Sequence, residues 1–578
     1  MAISFQIPIT YSMIYGVQGK SPLDYLTGLN RSTIIKSALF LLHNEEKWKN
    51  FRTFCEMFFS EGNNELANEL WKKYLELACP KNENDSFFPP TYSILSKHSC
   101  LELLRIGFSL PVNKEDVSDK KYLEISIFQA LLSINETQSE LCFDKIDKIP
   151  EPLKEAYSML ITVLPYNEFT NIDTSAKFFA SCVKSEMLFT FCEQNDKYKI
   201  ILDQFLKKHE CANWETYIYT VAKIFIMNNG DKDNYTAIAL DPDSESYSRD
   251  LSTLLGLSID ITKTIAVEDN VDYKYFRNYP LVRVSENEFI LIYSSLCAER
   301  FYNSLIFNFN EINNGLAKKD RITDIFQDYT SKFSEEYMFY KVMERIISKQ
   351  KYLSMSGEEC RYICNHNEPD YYIRNWDEVF LFEFKDVLMD ADTKTSKDCD
   401  KLKELIERKL VYNKENQSKK GIEQLTENIN RILSGTFVWD KKIIPNQVKI
   451  YPILVVGDTK FVSPGMSFIL NDYFLKSLEA KGIGRKQVRD LIVIDINTLI
   501  LYQNEFADKR MTIKKTCDNY YNYLKTKRPL PNNPDNIYEN AFHYLYSIST
   551  FIEKNYKIKS NRFILSNLFK RFSSKELS

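Results

Sequence analysis

Residues 379–385 read VFLFEFK, and no other stretch of the chain restricts the fold as tightly. In a β-strand, successive side chains point to opposite faces. Phe380, Phe382 and Phe384 then share one face, and Val379, Leu381, Glu383 and Lys385 share the other. A strand apolar on both sides belongs in the middle of a sheet covered on both faces. Glu383 and Lys385 therefore stand side by side where charge is costly to bury unless it is paired or bound to a metal. A functional site is the expected reason for keeping them there.

The text leading into this strand is EPDYYIRNWDE, from Glu368 to Glu378. A hairpin turning through Asn375–Glu378 would bring Asp370, which opens the preceding strand after Pro369, close to Glu383. Two carboxylates with water form the hard-oxygen set that magnesium or manganese prefers. Such a metal activates bound water and stabilises charge on a phosphoryl group. Lys385 would orient that water or neutralise phosphate.

Pro369–Asp370 followed by the apolar strand and Glu383-Phe384-Lys385 resembles the PD-(D/E)xK nuclease superfamily. The expected order of elements matches that fold's core of helix, three strands, helix and strand. The helix is expected at Ser331–Lys349, and the strands at Arg361–Cys364, Asp370–Arg374 and Val379–Val387. The second helix is expected at Lys419–Leu433 and the last strand at Val448–Val456. The resemblance implies Asp370, Glu383 and Lys385 as catalytic residues with a Mg2+ or Mn2+ cofactor. It also implies an acidic metal ligand on the first helix, for which Glu336 is the choice and Glu335 and Glu344 are competitors. A glutamine on the second helix recurs in the superfamily, and Gln424 matches it. Where some members have Tyr four residues on, this chain has Asn428. Along that helix Lys420, Gln424, Asn428 and Arg431 form a polar face opposite Ile422, Leu425, Ile429 and Ile432.

The net charge of the 578-residue chain is −4, so a nucleic-acid surface would have to be local. From 394 to 420 nine Lys or Arg face five acids. Lys394, Lys397, Lys419, Lys420 and Arg431 are the candidate backbone contacts. A second basic stretch runs from Lys554 to the end, with Phe and Tyr interleaved.

Residues 1–265 are expected to form a mostly helical domain that recognises a partner protein, a nucleic-acid structure or a trigger. Its helices include Ser32–His43, Glu65–Cys79 and Met187–His209. Asn228–Asp250 reads as a loop or domain edge. A connector follows at 266–330, with two strands in Tyr279–Ser295 around a Ser-Glu-Asn-Glu turn. The nuclease-like domain spans 331–505, and a helical, basic segment spans 506–578. The fold class is thus α+β and multidomain, with a restriction-endonuclease-like core.

Other signals are bland. The twelve cysteines make no CxxC pair, and Cys360, Cys364 and His366 read as a strand with buried thiols and a structural histidine. YGVQGKS at Tyr15–Ser21 has Ile14 where a phosphate-binding loop needs glycine. No signal peptide or apolar run of membrane-spanning length is seen, so a cytoplasmic protein is expected. The expected activity is metal-dependent cleavage of DNA, in the manner of a bacterial restriction or anti-phage defence effector. RNA as substrate, or an inactive binding or scaffold protein, are the alternatives.

Overall fold

The computed structural model describes residues 6–48, 50–78, 91–112, 119–139, 143–150, 153–170, 173–229, 237–364, 367–508, 511–527 and 545–556. The chain is α+β, with helices predominating and several small sheets. It divides into two compact units: Met1–Leu141 with Leu206–Arg300, and Cys142–Phe205 with Phe301–Ser578. The expected boundary at 265 is therefore replaced by an exchange, in which residues 142–205 belong with the second unit. Among the described residues no helix is long and apolar enough to cross a membrane.

In the first unit, helices Arg31–Asn44 and Lys97–Ser109 pack together, and their Asn30 and Ser96 caps satisfy the first-turn N–H groups. A four-stranded sheet orders Ala237–Ala239, Glu288–Leu291, Leu281–Arg283 and Ser258–Asp260. The two strands around the Ser-Glu-Asn-Glu turn pair antiparallel. Asn228–Asp250, expected as a loop, contributes a strand and the start of helix Tyr247–Gly256 to the described residues.

The second unit is built on five strands: β1 (Leu353–Ser356), β2 (Tyr371–Asn375), β3 (Glu378–Lys385), β4 (Lys449–Val456) and β5 (Ile492–Asp495). Their order is β5-β4-β3-β2-β1. The β1–β2 and β2–β3 pairs are antiparallel, and β4 lies parallel to both β3 and β5. β3 is the middle strand. Its Val379 and Leu381 enter a core shared with Ile422, Leu425 and Ile429 of helix α3 (Gly421–Leu433). On its other face Phe380 stacks on Tyr451 at 4.6 Å between ring centroids, and Phe384 stacks on Phe339 at 5.0 Å.

Helices thus cover both faces. Phe339 ends a π-helix, Tyr329–Phe339, that runs directly into helix α1 (Tyr340–Ile347). Helix α3 closes with Gly435 at φ 73°, and Gly435 N–H and Thr436 N–H donate to the carbonyls of Ile432 and Arg431. That paired termination needs a residue tolerant of left-handed backbone.

Two expected elements differ. Arg361–Cys364, expected as a strand, falls in and after helix α2 (Gly357–Ile363); the edge strand is Leu353–Ser356. The Ser356 side chain accepts from Glu359 N–H and the Glu359 carboxylate accepts from Ser356 N–H, which starts a helix there. Cys360 is buried in that helix, Cys364 follows it, and His366 lies outside the described residues. Met187–His209, expected as one helix, is two: Thr174–Glu193 and Asp196–Lys208.

Candidate functional site

The β2–β3 hairpin turns at Trp376–Asp377 and pairs Asn375 with Glu378 and Tyr371 with Phe382. This register sets Asp370 across from the end of β3. Asp370 Oδ2 accepts the Phe384 N–H at 2.7 Å and the Lys385 Nζ at 3.3 Å. Lys385 Nζ also donates to Glu383 Oε2 at 3.3 Å. One ammonium thus bridges two carboxylates. Glu383 is fully buried, and its Oε1 has no hydrogen-bond partner among the described residues.

A third carboxylate comes from the π-helix, and it is Glu335. Burial and then Asp370 push its pKa up to about 8, against the pull of Lys385. The Tyr340 hydroxyl donates to its Oε1 at 3.1 Å. Glu336, the expected ligand, is exposed and paired with Arg361 at 2.6 Å. The correction has a backbone cause: Tyr340 N–H donates to the Glu335 carbonyl, five residues back. A five-residue hydrogen bond shifts the facing side chain by one position relative to an α-helix. Buried Tyr329, Phe333, Ser334, Met338 and Phe339 follow this wider spacing of four and five.

Helix α3 lines the Lys385 side. A Cβ on Gly421 would lie 3.3 Å from Lys385 Cγ and 2.6 Å from Leu454 Cδ1, so glycine lets the helix close over the lysine stem. Gln424 and Asn428 follow along the same stripe, each with a buried amide oxygen that has no partner among the described residues. At its far end Arg431 donates to the Asn367 carbonyl at 3.0 Å and lies over the Trp439 ring. The stripe therefore runs from Lys385 to the loop just before Asp370.

The electrostatics are unbalanced. Burial and Asp370 hold Glu383 well above the ordinary carboxylate range. Burial alone would lower Lys385, but Asp370, Glu383 and Glu335 outweigh it and hold the ammonium above its ordinary value. Three carboxylates share one lysine. Among the described residues no group of three or more His, Cys, Asp or Glu side chains is placed to hold a metal ion as the side chains stand. The carboxylate oxygens of Asp370, Glu383 and Glu335, and the orphaned Glu383 Oε1 among them, are of the hard type that Mg2+ or Mn2+ prefers.

The expected nucleic-acid contacts scatter. Lys394 is buried, ion-paired with Glu168 and set over the Phe169 ring, so it cannot meet a phosphate; its candidacy is corrected to a structural role. Lys397 is half-buried at φ 52°, just after helix Ala391–Thr395. Lys419 is exposed and paired with Glu427 at 3.0 Å, and Lys420 is the half-buried residue that opens α3. The basic stretch beyond Tyr556 lies outside the described residues. Comparison with protein-family models, curated proteins and solved structures finds no match to this chain.

Proposed function

We propose that the second unit is a metal-dependent phosphodiester hydrolase acting on DNA, with a restriction-endonuclease-like core. The observation that carries this reading is the set of Asp370, Glu383 and Glu335 around the single ammonium of Lys385, at the end of the central strand. The order of helix, three antiparallel strands, helix and parallel strand supports the resemblance drawn from the sequence.

In this reading the three carboxylates would hold Mg2+ or Mn2+, which when bound would supply charge stabilisation and a water of lowered pKa. Lys385 keeps its proton at neutral pH, because its carboxylate neighbours favour the charged form. It therefore acts as a donor that orients the attacking water and offsets phosphate charge, and not as the base. Gln424 Oε1, which has no partner among the described residues, would accept a hydrogen from that water and fix its direction. Asp370 is itself held by Phe384 N–H, so its free lone pairs are aimed by the sheet. Lys419, Lys420 and Arg431 are the candidate backbone contacts. The first unit would recognise a partner protein or a trigger, in an architecture similar to bacterial restriction and anti-phage effectors.

The test is incubation of the full chain with plasmid, single-stranded DNA and RNA, with and without Mg2+ or Mn2+, beside Lys385→Ala. Cleavage of DNA that needs metal and falls by about 10³-fold or more in the variant is expected. Cleavage of RNA alone would replace the substrate, and metal-independent or variant-insensitive cleavage would sink the assignment.

A further inference from the structure

The π-helix selects which of two adjacent glutamates faces the site, and a part-buried hydrogen bond ties it to the residue that follows the central strand. Ser334 is fully buried in the middle of the π segment, and its hydroxyl donates to Asp386 Oδ2 at 2.5 Å. Each partner is the immediate neighbour of a site residue: Ser334 precedes Glu335, and Asp386 follows Lys385.

The surroundings are shaped for this contact. A Cβ on Gly457 would overlap Asp386 Oδ1, so glycine leaves the carboxylate its space. Gly457 N–H donates to the Lys385 carbonyl at 3.0 Å, which continues the β3–β4 pairing past the site. Buried Lys184 supplies the countercharge. Its pKa falls to about 8 because burial outweighs the attraction of Asp386, Asp495 and Asp458. Its Nζ lies 4.1 Å from the centre of the Tyr302 ring. Tyr302 and Tyr329, the first residue of the π-helix, share a hydroxyl–hydroxyl bond beside this group.

An isolated helix prefers four-residue hydrogen bonds, and five-residue stretches are rare and cluster at functional sites. Without an external tie the segment has reason to return to the α register. That change would carry Glu335 away from Asp370 and turn the next position toward it.

We propose that the Ser334–Asp386 hydrogen bond is a positioning latch that holds the π register and so presents Glu335, and not Glu336, to the metal site. This rests on the proposed metal-dependent function and adds the device that sets its third ligand.

Manganese binding, followed by calorimetry on the full chain, reads the latch without relying on turnover. Ser334→Ala and the volume-preserving Ser334→Cys are each expected to weaken Mn2+ about tenfold, with thermal melting used to confirm folding. Glu335→Gln should weaken Mn2+ in the wild-type background and cost little more in the Ser334→Ala background, since Glu335 is already displaced there. Wild-type affinity in both Ser334 variants, or independent and additive losses with Glu335→Gln, would overturn the latch while leaving the metal site standing. A wild-type chain that binds no Mn2+ would overturn the latch and the metal-site reading together.

Discussion

Two lysines of the second unit sit among carboxylates, Lys394 buried and Lys385 half-buried, and they teach different things. Lys394 pairs with Glu168, whose other oxygen faces Lys460 at 3.8 Å. Lys460 lies 3.5 Å from Asp458 Oδ1, and Asp458 Oδ2 accepts the Met389 N–H. Two cations meet two carboxylates, and the Phe169 ring covers the first ammonium. Around Lys385 three carboxylates share its ammonium, with Arg361 acting on Glu335 as well, and Glu383 Oε1, Gln424 Oε1 and Asn428 Oδ1 lack partners among the described residues. A lysine drawn at least partly out of solvent is common to both. Charge balance and hydrogen-bond completeness separate the structural cluster from the one with room for a ligand.

The contrast can be broken most severely at the balanced cluster. Lys394→Met leaves buried Glu168 with only the more distant Lys460 and is expected to cost about 3 kcal/mol, read as a lower urea midpoint. DNA affinity of the folded fraction should not change; a loss of affinity without a loss of stability would return Lys394 to the nucleic-acid surface. At the unbalanced cluster, Glu335→Gln should lower the cleavage rate about 100-fold, roughly 2.7 kcal/mol of transition-state stabilisation, while Glu336→Gln stays within about threefold. The reverse ranking would mean that the helix faces the site in the α register.

A smaller effect sharpens the comparison through pH. Glu335 titrates near 8 in the folded chain and near the ordinary carboxylate value when unfolded. The unfolded chain therefore releases this proton first as pH rises. The stability this group contributes is present at about pH 4 and is lost on the way through pH 8. In chelator, the wild type should lose about 1 kcal/mol more than Glu335→Gln between pH 5 and 8, after allowance for solvent screening. Added Mg2+ should remove that difference. Equal slopes for the two proteins would place Glu335 outside the charge cluster.

Much of this site was legible because strand chemistry is local. Apolar residues on both faces of 379–385 fixed a central strand, and the Asn375–Glu378 turn then put Asp370 opposite its end. Helix facing was harder. Glu335 and Glu336 are neighbours in sequence, and only the five-residue hydrogen bond decides between them. The spacing of Tyr329, Phe333, Ser334, Met338 and Phe339 carried a faint trace of it. Arg361–Cys364 was expected as a strand, yet Ser356-Gly-Glu-Glu359 already spelled a capping box. Lys394 could not have been placed from its surroundings in sequence, because its partner Glu168 is 226 residues away. A basic stretch specifies charge, while the fold specifies which of those charges reach solvent.

The parallel pairing of β3 with β4 also has a consequence for how the chain is made. Glu378–Lys385 finds one neighbour at once, in the hairpin with Tyr371–Asn375, but its other edge waits for Lys449–Val456. At roughly 5–20 residues per second, synthesis leaves that edge unpaired for several seconds. Helix Gly421–Leu433, with Gln424, emerges during the same interval. All the proposed reacting groups are thus made before the strand that clamps them in register. On the proposed reading, the site is therefore incomplete until apolar scaffold residues that carry no chemistry of their own have been made.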